Sequence, residues 1–226
     1  MTELELKFRY GKNEKFYQTH DERIPITYDA LIFNLEHTMS KKGFLGSSYD
    51  YHRTELGIQK RLWFSAFGFV DVIGKAGKVW NKVPYPLLIL PNANLTYTIQ
   101  PEAYTNMNAI EFINDEYISW DVTYYMNGLI LNRLPLIKKL KWREVLCFRG
   151  LWGHLTDKNN PMKTGEGLYA FPVGSGVMGR APYMEASVGI ENIFKFMRLD
   201  YVWRLNYRDH PGIQTKGVRF MMRMSF

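Results

Sequence analysis

The sequence predicts an all-β chain arranged as an antiparallel, up-and-down, transmembrane β-barrel, with about nine strands in its 226 residues. Three observations predict it. Apolar and polar residues alternate with period two over stretches of ~10 residues. The apolar faces end in aromatics, as the two interfaces of a bilayer favour. The last stretch alternates up to a terminal Phe226.

The elements follow in order. Leu4, Leu6, Phe8 and Tyr10 fall on one side and Glu3, Glu5, Lys7 and Arg9 on the other, because successive side chains of a strand point to opposite faces. Lys12–Pro25 reads as a connection, Tyr28–His37 as a weaker strand and Ser40–Arg53 as a loop. Leu56, Ile58, Leu62 and Phe64 then oppose Glu55, Gln59 and Arg61. After the short Ala66–Gly68 comes Val70–Trp80, weakened by Gly74 and Gly77, and then the long connection Asn81–Asp115. Trp120, Val122, Tyr124, Met126 and Ile130 oppose Ser119, Asp121, Thr123, Tyr125 and Asn127. Beyond Asn132–Lys139, Trp142, Leu146, Phe148 and Trp152 oppose Lys141, Arg143, Cys147 and Arg149.

Gly153–Pro182 is a second long connection. Met184, Ala186, Val188 and Ile190 alternate with Glu185, Ser187 and Gly189, and Glu191–Phe196 is a turn. Leu199, Tyr201, Trp203, Leu205 and Tyr207 alternate with Arg198, Asp200, Val202, Arg204 and Asn206. Arg208–Lys216 leads to the last strand, where Val218, Phe220, Met222, Met224 and Phe226 alternate with Arg219, Met221, Arg223 and Ser225. No stretch carries helical i, i+3, i+4 spacing. Long and short connections roughly alternate, as expected if the long loops share one side of a membrane.

A soluble β-sandwich also alternates and is the plainer alternative. Sandwich strands usually run only about five or six residues, however. The faces opposite the apolar stripes also carry both charge signs at adjacent levels, which suits ion pairs across a polar lumen. That lumenal charge set is Glu185, Arg198, Asp200, Arg204, Arg219 and Arg223. Val218, Phe220, Met222, Met224 and Phe226 form a C-terminal stripe of the kind by which outer-membrane assembly machinery docks a last strand.

Composition excludes several classes. No window approaches the ~18 uninterrupted apolar residues of a membrane-crossing helix. The opening Met-Thr-Glu-Leu-Glu-Leu is not that of a signal peptide. The 29 Lys+Arg against 22 Asp+Glu are spread along alternating positions rather than clustered, which argues against a nucleic-acid groove. Lys138, Lys139, Lys141 and Arg143 are the one dense group, beside an expected periplasmic turn. A lone Cys147 supports neither a disulfide framework nor a cysteine zinc site, and the five histidines (His20, His37, His52, His154, His210) have no metal-ligand spacing. Ser175 between Gly174 and Gly176 lacks the strand-to-helix setting of a nucleophile elbow. Asp121, Glu185, Glu191 and Asp200 interleave with Arg143, Arg198 and Arg204, so ion pairing outweighs acid–base catalysis. No enzyme, metal or cofactor is expected.

Several strings are more specific than alternation: Arg53-Thr54-Glu55-Leu56, Pro84–Asn94 with Tyr97–Glu102, Glu111–Asp115, Ile137–Glu144 and Asp200–Arg208. With them the whole chain resembles the C-terminal barrel half of the BamA/TamA-like (bacterial surface antigen) superfamily, most nearly outer-membrane proteins with an N-terminal carboxypeptidase-regulatory-like domain. The resemblance implies a sixteen-stranded barrel. Residues 1–226 would be its C-terminal part, without the first strands and periplasmic domains. It further implies a non-enzymatic protein of the bacterial outer membrane, akin to barrel-assembly or translocation factors. Its partners would be outer-membrane lipid and lipopolysaccharide, the assembly machinery during insertion, and client outer-membrane proteins. In such proteins the seam between first and last strands is held to open and template an incoming strand. The superfamily's loop equivalent to Asn81–Asp115 folds into the lumen with an Arg-Gly-Phe-type motif. No such tripeptide occurs here, which argues against a plugging role and leaves Pro84–Pro91 and Tyr97–Pro101 as the segments able to pack inside. Two other functions compete: a complete small pore of about ten strands selecting anionic solutes, disfavoured by the missing signal peptide, and a soluble ligand-binding β-protein.

Overall fold

A computed structural model describes residues 2–164, 167–210 and 212–222. Its strands are β1 (Leu4–Lys12), β2 (Phe16–Gln18), β3 (Arg23–Pro25), β4 (Leu31–Ser40), β5 (Tyr51–Trp63) and β6 (Phe69–Val79). They continue with β7 (Glu116–Tyr125), β8 (Arg143–His154), β9 (Tyr183–Ile193), β10 (Met197–Arg204) and β11 (Lys216–Met222). Nine of them form one sheet in the order β1-β4-β5-β6-β7-β8-β9-β10-β11, every pair antiparallel, while β2 and β3 make a separate hairpin. The all-β meander is thus the predicted fold class. Among the described residues β1 and β11 do not pair with each other.

Three local differences from the sequence reading have physical causes. The Lys12–Pro25 connection contains the β2–β3 hairpin, too short for alternation to reveal. The strand expected to run to Ile130 ends at Tyr125, because Asn127 and Gly128 take positive φ (52° and 80°) and turn the chain into short 3₁₀ segments. Conversely, the two weak stretches are full strands.

Glycine explains why Val70–Trp80 reads weakly. Gly77 lies opposite Tyr117, and a Cβ there would come within 2.4 Å of the tyrosine ring. Trp120 lies between Gly74 and Gly150 in register, with its indole over Gly150, where a Cβ would approach to 2.2 Å. An aromatic ring laid over a cross-strand glycine replaces the packing the glycine lacks.

Register sorts the outward side chains into rows. Phe8, Leu35, Leu56, Ala76, Ile118 and Trp152 form one apolar row across six strands. Leu62, Val70, Tyr124, Leu146, Val188, Tyr201 and Val218 form another across seven. These apolar rows are exposed, Phe8 at 63% and Val188 at 48%, while the charged Arg204 and Glu185 of the other face are only 0% and 1% exposed. The sheet is inside out relative to a water-soluble domain.

The connections 41–50, 80–115, 155–182 and 205–215 leave from one end of the sheet, here the loop end. The other end carries 13–30, 64–68, 126–142 and 194–196, two of which are longer than the expected short turns. The hydrophobic core is at the loop end, where Val83, Leu88, Ile89, Met107, Phe112 and Ile113 of the 80–115 connection pack on Val79, Tyr117, Leu151 and Tyr183.

Candidate functional site

The 80–115 connection is a structured insert lying on the charged inner face. It pairs with itself at Ile89–Asn114 and Ala93–Tyr104, with the second long connection at Phe112–Gly176, and with β11 at Thr98–Phe220. More of the loop lies on the inner face than the two segments, Pro84–Pro91 and Tyr97–Pro101, that the sequence left able to pack inside. Pro84–Pro91 contributes Leu88 and Ile89 to the core, whereas Tyr97–Ile99 runs along the free edge of β11. Recognition rests on carboxylates and guanidinium groups of the strands meeting loop backbone, so an Arg-Gly-Phe tripeptide is not needed for it.

Glu185 of β9 is the central acceptor. Its carboxylate takes the backbone N–H of Thr105 (2.9 Å) and Asn106 (2.6 Å) and the hydroxyl of Tyr183 (2.6 Å). Arg204 of β10 donates through both terminal nitrogens to the Glu111 carboxylate, at 2.9 and 2.5 Å. Its remaining N–H groups reach the carbonyls of Asn106, Asn206 and Tyr207. This fork-to-fork geometry is the strong form of a charge-assisted hydrogen bond.

Glu111 also accepts the Asn108 N–H (2.9 Å) and lies 2.8 Å from His210 Nδ1. Burial pushes its pKa up, but Arg204, the Asn108 amide and His210 outweigh burial and hold the carboxyl below its ordinary value. Farther along the loop, Arg149 of β8 donates to the Ala103 carbonyl (2.5 Å) and pairs with Asp121 (3.0 Å). Arg219 of β11 donates to the Thr105 carbonyl (2.9 Å), Tyr104 Oη donates to the Gly150 carbonyl (2.9 Å), and Lys75 pairs with Glu102. Burial keeps the Tyr104 hydroxyl protonated, hence a donor. The stretch 102–111 is thereby tied to β6, β8, β9, β10 and β11.

The described members of the predicted charge set are brought to one face but not into the expected partnerships. Glu185 and Arg204 are opposite each other in register, yet each uses its side chain on the loop. Arg198 pairs with Asp200, two residues along the same strand (2.6 Å). Arg219 faces Asp200 in register and bonds loop and backbone carbonyls. Of the C-terminal stripe, Val218, Phe220 and Met222 are on the exposed outward face. Met224 and Phe226, with Arg223 of the charge set, lie outside the described residues. Cys147 faces inward, its Sγ 3.6 Å from Asp121 and 3.4 Å from Arg149.

Glu111, Asn106 and Tyr104 were not singled out by alternation, whereas Arg149 was placed on the polar face beside Cys147. The sequence signal for Glu111 was its place at the head of the string Glu111–Asp115. Below the loop is a cavity of about 290 Å³ lined by Arg53, Glu55, Lys75, Glu102, Asp121 and Arg149. Its cations are each matched by a carboxylate, Arg53 by Glu55, Lys75 by Glu102 and Arg149 by Asp121. The arrangement holds a loop in place and leaves no cation of this set without an acid.

Similar proteins bear on the fold. The crystal structure of BamA from Haemophilus ducreyi lacking POTRA domains 1-3 aligns over 96% of this chain with a TM-score of 0.54 and 9% identity. This chain covers 41% of that one, so it spans less than half its length, and at such identity the likeness speaks for the barrel-type fold alone. No curated protein matches the sequence. The profile of the C-terminal domain of the family of unknown function DUF5686 matches residues 1–160, and the chain belongs to that family.

Proposed function

We propose that this chain is the C-terminal part of a larger, non-enzymatic β-barrel of the bacterial outer membrane, related in role to barrel-assembly and translocation factors. The observation that carries the reading is the inverted burial: apolar rows open to the surroundings on every long strand, and charges enclosed with their partners. Burial of apolar surface is worth ~25 cal/mol per Å², so such a face calls for an apolar solvent. In hydrocarbon every backbone group needs a partner, and the edge of β1, with that of β11 beyond the stretch paired to the loop at Phe220, calls for further strands closing a barrel. The share of the BamA chain covered is consistent with a partial barrel.

In this reading the envelope lipids and lipopolysaccharide surround the apolar rows, and the assembly machinery receives Val218, Phe220, Met222, Met224 and Phe226. Periplasmic domains, a carboxypeptidase-regulatory-like one among them, and client outer-membrane proteins belong to the whole protein. Selection of anionic solutes is not favoured, because Arg149, Arg198, Arg204 and Arg219 are occupied by carboxylates and carbonyls.

Envelope fractionation of cells making the full-length protein tests the reading. The expected result is recovery with the outer membrane, extraction only by detergent, and faster gel migration unheated than boiled. Recovery in the aqueous fraction would overturn it.

A further inference from the structure

An outward row at the loop end is mostly polar. Leu6, His37, Thr54, Lys78, Glu116 and His154 are consecutive register partners across β1 and β4 to β8. The adjoining row towards mid-sheet, Phe8 to Trp152, is wholly apolar. The polar row lies at the loop end, with Trp80 and Trp152 beside it.

Its side chains are linked to one another. Lys78 Nζ is 2.5 Å from Glu116 and 4.9 Å from the Trp80 ring centroid. His154 Nδ1 is 3.9 Å from Glu116, and its ring stacks on Trp152 with 8° between the planes. Trp80 Nε1 donates to Thr54 Oγ1 (2.9 Å), and that hydroxyl meets His37 Nδ1 (3.0 Å). His37 Nε2 in turn faces His52 Nδ1 at 3.5 Å. Lys158 closes the group from the loop by donating to the Trp80 carbonyl (2.8 Å).

A cation on the lipid-facing side of a barrel costs about 2–4 kcal/mol at the bilayer midplane and about 0–1 kcal/mol near the interface. A charged row flanked by two tryptophans fits the headgroup level. Lys78 and Lys158 outnumber the single carboxylate of Glu116, and three imidazoles add N–H donors. The charge left over is positive and the groups left over are donors, which complements a phosphate sitting above acyl chains.

We propose that this row is a binding site for the phosphate-bearing headgroup of an outer-leaflet lipid. Lys78 and His154 contact its phosphate oxygens, and Trp80 and Trp152 flank the start of its acyl chains. The proposal rests on the membrane reading above. The Lys78–Glu116 pair opens so that the lysine serves the phosphate, and the carboxylate limits how tightly the lipid is held.

The test is native mass spectrometry of detergent-purified full-length protein titrated with diphosphoryl lipid A or with its dephosphorylated form. Wild type should retain the phosphorylated form preferentially, and Lys78→Gln/His154→Gln should lower that preference about tenfold. Glu116→Gln should raise it, and Lys216→Gln, outward on β11 away from the row, should leave it unchanged. Equal retention of both forms by wild type, or an undiminished preference in the double variant, overturns the site. Protein that is soluble without detergent overturns the membrane reading and the site together, whereas protein that needs detergent and shows no preference overturns the site alone.

Discussion

The two ends of the sheet use the same alternation to opposite effect. Arg9 of β1 and Arg204 of β10 both face inward and both grip a carboxylate with two nitrogens, Arg9 that of Glu14 at 2.6 and 2.7 Å. The Arg9 side chain is 47% exposed, and its partner comes from the start of the next connection. Arg204 is wholly enclosed, and Glu111 comes from 93 residues away. The edges differ as well. Among the described residues β1 pairs only with β4. On β11, Phe220 N–H donates to the Tyr97 carbonyl (3.0 Å), its carbonyl accepts from Ile99 N–H (2.7 Å), and Arg219 donates to the Val218 carbonyl. An exposed strand edge invites pairing with other chains, and here only the edge within reach of the loop is guarded. Period two decides which face a charge is on, and the loop decides what that charge is worth.

Removing one guanidinium at each end breaks this comparison most sharply. Arg204→Ala strands the Glu111 carboxylate in a buried site and should destabilise the fold by about 3–5 kcal/mol. Arg9→Ala uncovers the Glu14 carboxylate, 3% exposed beneath the guanidinium, to water and should cost only about 1 kcal/mol. Urea denaturation in detergent, followed by loss of the fast-migrating gel band, measures both. Similar midpoints for the two variants would refute the distinction.

A smaller effect is expected from Glu185→Gln, which keeps the shape but turns a charged acceptor of two loop amides into a neutral one. The cost should be about 1.5–3 kcal/mol. It should appear as faster proteolysis within 102–111, with digestion of the 13–30 connection unchanged. Unaltered digestion of both would mean that the loop is held by its apolar contacts alone.

Acid should loosen the same end. Because the folded pKa of Glu111 is depressed, its contribution is complete above the ordinary carboxylate value of ~4 and is lost as pH falls through the lowered value. The protection of the Thr105 and Asn106 amides against hydrogen exchange, taken relative to the unprotected rate at each pH, should therefore fall in acid in wild type. In Arg204→Met it should be low already at neutral pH. Protection that acid leaves unchanged in wild type would contradict the assignment.

The smallest change is at the edge. Ile99→Pro removes the donor to the Phe220 carbonyl, worth about 1 kcal/mol, and should speed exchange of the Phe220 amide while the β9–β10 ladder stays protected. If Phe220 exchange is unchanged, the loop does not guard that edge.

Most of the sheet was legible in the sequence because an outward stripe and an inward one need only a local rule. Leu199 to Trp203 against Arg198 to Arg204 needed no knowledge of the rest of the chain. Strands interrupted by glycine were half legible, since Gly77 and Gly150 are filled by Tyr117 and Trp120 from neighbouring strands. For the site, Glu185, Arg204 and Arg219 were legible as inward charges, but their partners were not. Thr105, Asn106 and Glu111 carry no periodicity, and only the folded path of the loop brings them to those charges.

That path also has a kinetic side. Thr105 and Arg219 are 114 residues apart, and Asn106 and Arg204 are 98 apart. Contacts between such distant residues close late, because the entropy of the intervening chain is lost before they form. The loop cannot seat until β9, β10 and β11 are in place. Until then Glu111 stays solvated and Arg204 unmatched. Seating the loop would then be one of the last steps of folding, and β9, β10 and β11, synthesised after the loop, would supply the groups that complete it.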